Sequence, residues 1–161
     1  MKKILKFTAL SAVLLMLAGL MTSCDERESC IPFITIAQGD NSPICQQNTV
    51  IRTQKEWEEF IMPFTSPISL ANPFSETEVD FSTYTVIAVV DEVRPVVQWG
   101  MRITCIQEYI GVSAEDFGRT VVYVTVFSPR DGITSPMLVQ NWHVIKMPIS
   151  KKSIEFDVRI R

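Results

Sequence analysis

Residues 85–90, Thr-Val-Ile-Ala-Val-Val, constrain the fold more than any other stretch of this chain. The run is continuously apolar after Thr85 and rich in β-branched side chains, which suit a pleated, buried backbone. It has no polar side to turn toward water. A strand of this kind is covered on both faces. Two of the other strand candidates, 97–105 and 154–160, have one wet side. Val97, Trp99, Met101, Ile103 and Cys105 alternate with Gln98, Gly100, Arg102 and Thr104, the period of a half-buried strand. Residues 119–127 form a third strong candidate. Residues 142–147 form a fourth, with Trp142 and Val144 on one face and His143 and Ile145 on the other. Residues 154–160 form a fifth, with Ile154, Phe156, Val158 and Ile160 opposite Glu155, Asp157 and Arg159. Shorter β-prone runs cover 31–37 and 48–52. Turn signals fall at Gly111, Gly118, residues 129–132 and Pro148.

One helix interrupts this pattern. Thr53 followed three residues later by Glu56 makes a capping box. It predicts an amphipathic helix over 53–62, ended by Pro63, with Trp57, Phe60 and Ile61 on the face that docks on a sheet. Residues 63–78 read as a loop. One helix with a run of antiparallel strands predicts a small α+β domain, mainly antiparallel sheet, or a sheet curled into a partial barrel.

The chain begins with Lys2, Lys3 and Lys6, followed by an apolar run over 7–21. That is the pattern of a secretory signal. It is short for a spanning helix, which takes about 20 apolar residues. Removing residues 1–23 takes three of the 15 basic residues, so 12 remain against 18 acidic ones, a formal charge of −6. No basic patch or Arg/Lys run appears, which argues against a nucleic-acid partner. The 138 residues left are enough for one domain. The boundaries are 1–23 signal peptide, 24–30 tether and 31–161 a single domain.

Met21-Thr22-Ser23 before Cys24 resembles a bacterial lipoprotein processing site. The resemblance implies cleavage before Cys24 and lipidation of its thiol, which anchors the chain to a membrane; acyl chains contribute about 0.8 kcal/mol per buried CH₂. The acidic run Asp25-Glu26-Arg27-Glu28 resembles the surface-export signals of Bacteroidetes lipoproteins. In enterobacteria an Asp directly after the Cys instead resembles an inner-membrane retention signal. The preferred address is the outer membrane or cell surface.

Three cysteines follow Cys24. Cys30 and Cys45 flank a turn-rich segment, and an exported chain sits where disulfides persist. A Cys30–Cys45 bridge is expected, closing a loop of roughly 15 residues worth about 3 kcal/mol. Cys105, inside an alternating strand, is expected to be a free, small, buried hydrophobe. No Cys-x-x-Cys pair appears, and His143 is the sole histidine, so no metal site or cofactor is expected.

The order of elements resembles the C-terminal domain of the PrcB family of protease-complex subunits. The matching stretches are 50–57 (VIRTQKEW), 79–90 (VDFSTYTVIAVV), 97–103 (VQWGMRI), 140–148 (QNWHVIKMP) and the closing SIEFDV. They are mainly core patterns, and their order and spacing over most of 33–161 carry the match. The resemblance implies a small exported domain whose partner is another exported protein, in one member a secreted protease. A Gly-Gly-Tyr-like turn of the family is missing here; residues 91–100 read DEVRPVVQWG.

Catalytic chemistry is not expected. His143 lies within a strand, and a triad needs a nucleophile and a carboxylate beside the imidazole. Asp91-Glu92 and Glu115-Asp116 are adjacent acids, which face apart in a strand and are solvated in a loop. No phosphate loop, nucleophile elbow or HExxH is present. The expected function is a lipid-anchored, non-catalytic binding domain. The alternatives are a protease inhibitor acting through an exposed loop, and a carbohydrate-binding accessory lipoprotein using Trp99 or Trp142. Binding residues concentrate on loops. Arg94 in the 91–100 loop, with Arg130 and Asp131 in the 129–136 turn, are the expected partner contacts.

Overall fold

A computed structural model describes residues 30–65, 72–95, 99–111, 118–128 and 137–161. Cys24, Arg130, Asp131, Glu115 and Asp116 lie outside the described residues, as do residues 1–29, where the signal and most of the tether were expected.

The order is β1 (Ile34–Gly39), β2 (Gln47–Ile51), α1 (Gln54–Ile61), a 3-10 turn (Met62–Thr65), β3 (Tyr84–Val90), β4 (Gly100–Tyr109), β5 (Arg119–Phe127), β6 (Trp142–Pro148) and β7 (Ser153–Ile160). Two sheets form. One has the order β1-β6-β3-β2, antiparallel throughout. The other has the order β4-β5-β7. Neither closes into a barrel. The protein is α+β and mainly β, as the strand patterns predict.

The apolar run explains itself in this arrangement. Val86, Ala88 and Val90 of β3, with Trp142 and Val144 of β6, face α1 and pack against Trp57, Phe60, Ile61, Phe64 and Phe74. Ile87 and Val89, with Ile145 and Met147, face the second sheet and meet Met101, Ile103, Ile106, Val122, Val124 and Val126. The four-stranded sheet is therefore the middle of three layers. The helix starts where its capping box sets it. The Thr53 hydroxyl accepts from the Glu56 N–H at 3.2 Å, and Glu56 accepts from the Thr53 N–H at 3.1 Å. Gly39 is required where β1 passes β6, because a Cβ there would lie 2.7 Å from Nε1 of Trp142.

Three expectations are corrected. The disulfide joins Cys30 to Cys105, and Cys45 is a free, exposed thiol. The reason is a register shift in β4 between Ile103 and Cys105. It breaks the period-two pattern, so that Ile106 takes the core position and Cys105 is only partly buried. The chain ahead of β1 then runs beside β4, with the Ile31 N–H donating to the Ile106 carbonyl at 2.8 Å. Cys45 is held elsewhere, because the preceding turn is tied to the start of β6: the Gln140 N–H donates to the Asp40 carbonyl, and the Ser42 N–H to that of Gln140.

The second correction concerns β7, which pairs parallel to β5. The chain leaves β6 in one sheet and joins the other sheet within four residues, so no hairpin can form. The third concerns the apolar face of β7. Ile154 and Phe156 pack on the interlayer core, but Val158 and Ile160 are 50% and 63% exposed.

Candidate functional site

Three loops meet at one end of the molecule: 40–46 after β1, 91–95 after β3 and 137–141 before β6. Strand β3 ends at Val90, and the next residue, Asp91, keeps its backbone in register with β6 by donating its N–H to the Asn141 carbonyl at 2.8 Å. Its side chain is buried. A buried carboxylate needs a partner, and Arg94 supplies it through two hydrogen bonds, Nε to Oδ2 at 2.8 Å and Nη2 to Oδ1 at 3.1 Å. A third guanidinium nitrogen pairs with Glu92 at 3.0 Å. The guanidinium also stacks 4.3 Å from the centre of the Trp99 ring. These hydrogen bonds to Asp91 hold Arg94 more firmly protonated than an ordinary arginine.

The backbone completes the brace. The Arg94 N–H donates to the Val139 carbonyl at 2.8 Å, and the Val139 N–H returns the bond at 2.9 Å. Gln140 Nε2 donates to the Asp91 carbonyl, and Asn141 Nδ2 to that of Trp99. Arg94 was expected to be a partner contact on this loop. Its side chain is only 13% exposed. It is the clamp that holds the loop, and the exposed residues are its neighbours. Val93, Met137 and Leu138 are 55%, 62% and 63% exposed. Val93 and Leu138 share a shallow groove of about 400 Å³ with Asn41, Ser42 and Pro43. Cys45 lies beside it.

Of the two loops singled out from the sequence, 91–100 is described in part and its Arg94 meets Val139, while residues 129–136 lie outside the described residues. The sequence reading missed Val93, Leu138 and Pro43. The available signal was the apolar pair Met137-Leu138 directly after Pro136, outside any strand. The Asp91-to-Arg94 spacing also went unread as a pair.

His143 is buried, facing the interlayer core. Its Nδ1 accepts from the Ile103 N–H at 2.9 Å, so the neutral ring carries its proton on Nε2, which donates to the Thr35 hydroxyl at 3.0 Å. Burial, with the positive charge of Arg102, pushes its pKa down to about 4. The imidazole joins β1, β6 and β4, and both nitrogens are engaged. Among the described residues no group of three His, Cys, Asp or Glu side chains is placed to hold a metal ion. Neither candidate tryptophan offers an open platform for a sugar ring. Trp142 is buried against Phe64 and Phe74, and Trp99 lies between Arg94 and the core.

Comparison with known protein families, with curated proteins and with solved structures finds no match.

Proposed function

We propose that this chain is a lipid-anchored, non-catalytic binding domain of the cell envelope that presents its loop end to another exported protein, in the manner of a PrcB-like subunit. Cys24 is the proposed anchor, and the outer membrane or cell surface the proposed address. The observation that carries the reading is the exposed apolar groove of Val93, Leu138 and Pro43 on loops braced by the Asp91–Arg94 clamp. Apolar side chains held out on a rigid base suit a contact surface, because little ordering is left to be done on binding. The Cys30–Cys105 bridge supports an oxidising, exported setting. The engagement of both His143 nitrogens leaves the sole histidine no free site for proton transfer and supports a non-catalytic role.

Photo-cross-linking in intact envelopes tests the proposal, with the reactive group placed at Val93, at Leu138 or, as a control, at Lys55 on α1. Recovery of one exported protein from the first two positions and not from Lys55 is the expected result. Equal labelling from all three would refute the loop end as the contact surface. The same braced loop fits an inhibitor, since Val93 projects from a segment fixed by Asp91 and Val139. Stoichiometric inhibition in a titration against exported proteases would assign that role instead.

A further inference from the structure

We infer that the outer edge of β7 pairs antiparallel with β7 of a second copy of this chain, about a two-fold axis through Val158. The directions of the backbone groups come first. The Arg161 N–H donates to the Val126 carbonyl, and the Arg161 carbonyl accepts from the Ser128 N–H, so residue 161 turns both groups toward β5. Alternation along a strand then turns residues 153, 155, 157 and 159 toward β5 as well. Residues 154, 156, 158 and 160 point their N–H and C=O groups away from the sheet. No described strand pairs with that side, because β7 ends the order β4-β5-β7.

The side chains fix the register. Residues 155–161 read Glu-Phe-Asp-Val-Arg-Ile-Arg. The acids stand one and three places before Val158, and the arginines one and three places after it. In an antiparallel pair centred on Val158, Asp157 meets the second copy's Arg159, and Glu155 its Arg161. Each arginine meets an acid in return. On the other face Val158 meets Val158, and Phe156 meets Ile160. Shifting the centre to Asp157 would set two aspartates directly opposite each other, which is unfavourable. The same register joins residues whose free backbone groups point at each other, so these pairs exchange both hydrogen bonds. It also covers Val158 and Ile160, the two apolar side chains that the interlayer core leaves exposed.

Edges are ordinarily blunted by bulges, prolines or inward-pointing charges. The β5–β7 register runs without a shift from Ser153 to Ile160, and β7 contains no proline. Its charges all lie on the outward face; within one chain Arg159 pairs with Asp157 and Arg119 with Glu155, and in the antiparallel pair each of Glu155, Asp157 and Arg159 also faces an opposite charge of the second copy. The contact is isologous, the commonest kind among homo-oligomers.

Sedimentation equilibrium of the full-length protein, in one buffer and with free thiols alkylated, tests this. The parent is expected to dimerise reversibly. Val158→Pro removes only an outward N–H, and Arg159→Asp sets like charges opposite each other; each is expected to weaken dimerisation about tenfold or more. The exchange Asp157→Arg with Arg159→Asp restores opposite charges in the same register and is expected to restore parental association. Thermal melts confirm that each variant is folded. A parent that stays monomeric at the highest soluble concentration would overturn the inference. So would a Val158→Pro variant that dimerises like the parent, or a charge exchange that fails to rescue.

Discussion

The three-stranded sheet has two edges, and they are finished in opposite ways. At β4 the chain is bulged, a disulfide ties it to the residue before Ile31, and two of its outward backbone groups have partners. The Ile106 carbonyl accepts from the Ile31 N–H, and the Ile103 N–H donates to His143. At β7 the strand is regular and no described element covers it. One sheet therefore carries a closed edge and an open one, and closure here is a matter of specific polar and covalent ties. Apolar content does not distinguish the two edges, since both strands carry apolar side chains into the interlayer core.

Removing the staple is expected to have the largest effect. The bridge spans 75 residues, which on the chain-entropy relation is worth about 4 kcal/mol. Cys30→Ser with Cys105→Ser should lower urea-unfolding stability by roughly that amount. Unchanged stability would mean that the β4 edge is held without it.

The next effect is titration of His143. Its folded pKa of about 4 lies below its ordinary value of 6.5. Between those pH values the unfolded chain binds a proton that the folded chain refuses. Stability is therefore full above pH 6.5, falls as pH drops toward 4, and loses at most about 3 kcal/mol from this group. Urea unfolding of parent and His143→Asn across this window isolates the contribution, and the sole imidazole can be followed by NMR. A His143 that titrates near 6.5 in the folded protein would show that it does not close the β4 edge.

A smaller loss is expected at the segment leading into β4, where Arg94 stacks on Trp99. Arg94→Ala leaves the Asp91 carboxylate buried without its arginine and should cost roughly 1–3 kcal/mol in thermal or urea unfolding. Arg94→Lys should recover part of this, because a lysine keeps the charge and loses the planar two-bond geometry. The smallest effect belongs to the open edge. Val158→Pro should change the stability of the monomer by no more than about 1 kcal/mol, because the N–H it removes has no partner there. A larger loss, measured in dilute solution, would mean that β7 faces the other way.

How much of this could be read from the sequence depends on the range of the interactions. The capping box of Thr53 and Glu56, the shared face of Trp57, Phe60 and Ile61, and the two faces of β6 are local patterns, and they hold in the fold. The double-sided burial of 85–90 was legible because no other environment suits six such residues. The bulge after Ile103 was not, since one extra residue leaves no compositional trace and inverts the apparent face of everything after it. The Cys30–Cys105 pairing follows from that bulge and from the path of the chain before β1, and cysteine spacing carries neither. The clamp at Arg94 depends on Val139, more than 40 residues away. Residues that look like solvated loop charges become structural once such a partner arrives.

The contrast between the edges is tested most directly by amide hydrogen exchange, residue by residue, on the protein diluted to its monomer. Ile103 should exchange only with global unfolding. Along β7 the rates should alternate, with Asp157 and Arg159 protected by β5 and with Val158 and Ile160 exchanging freely. Protection at Val158 equal to that at Ile103 in the dilute monomer would contradict the account.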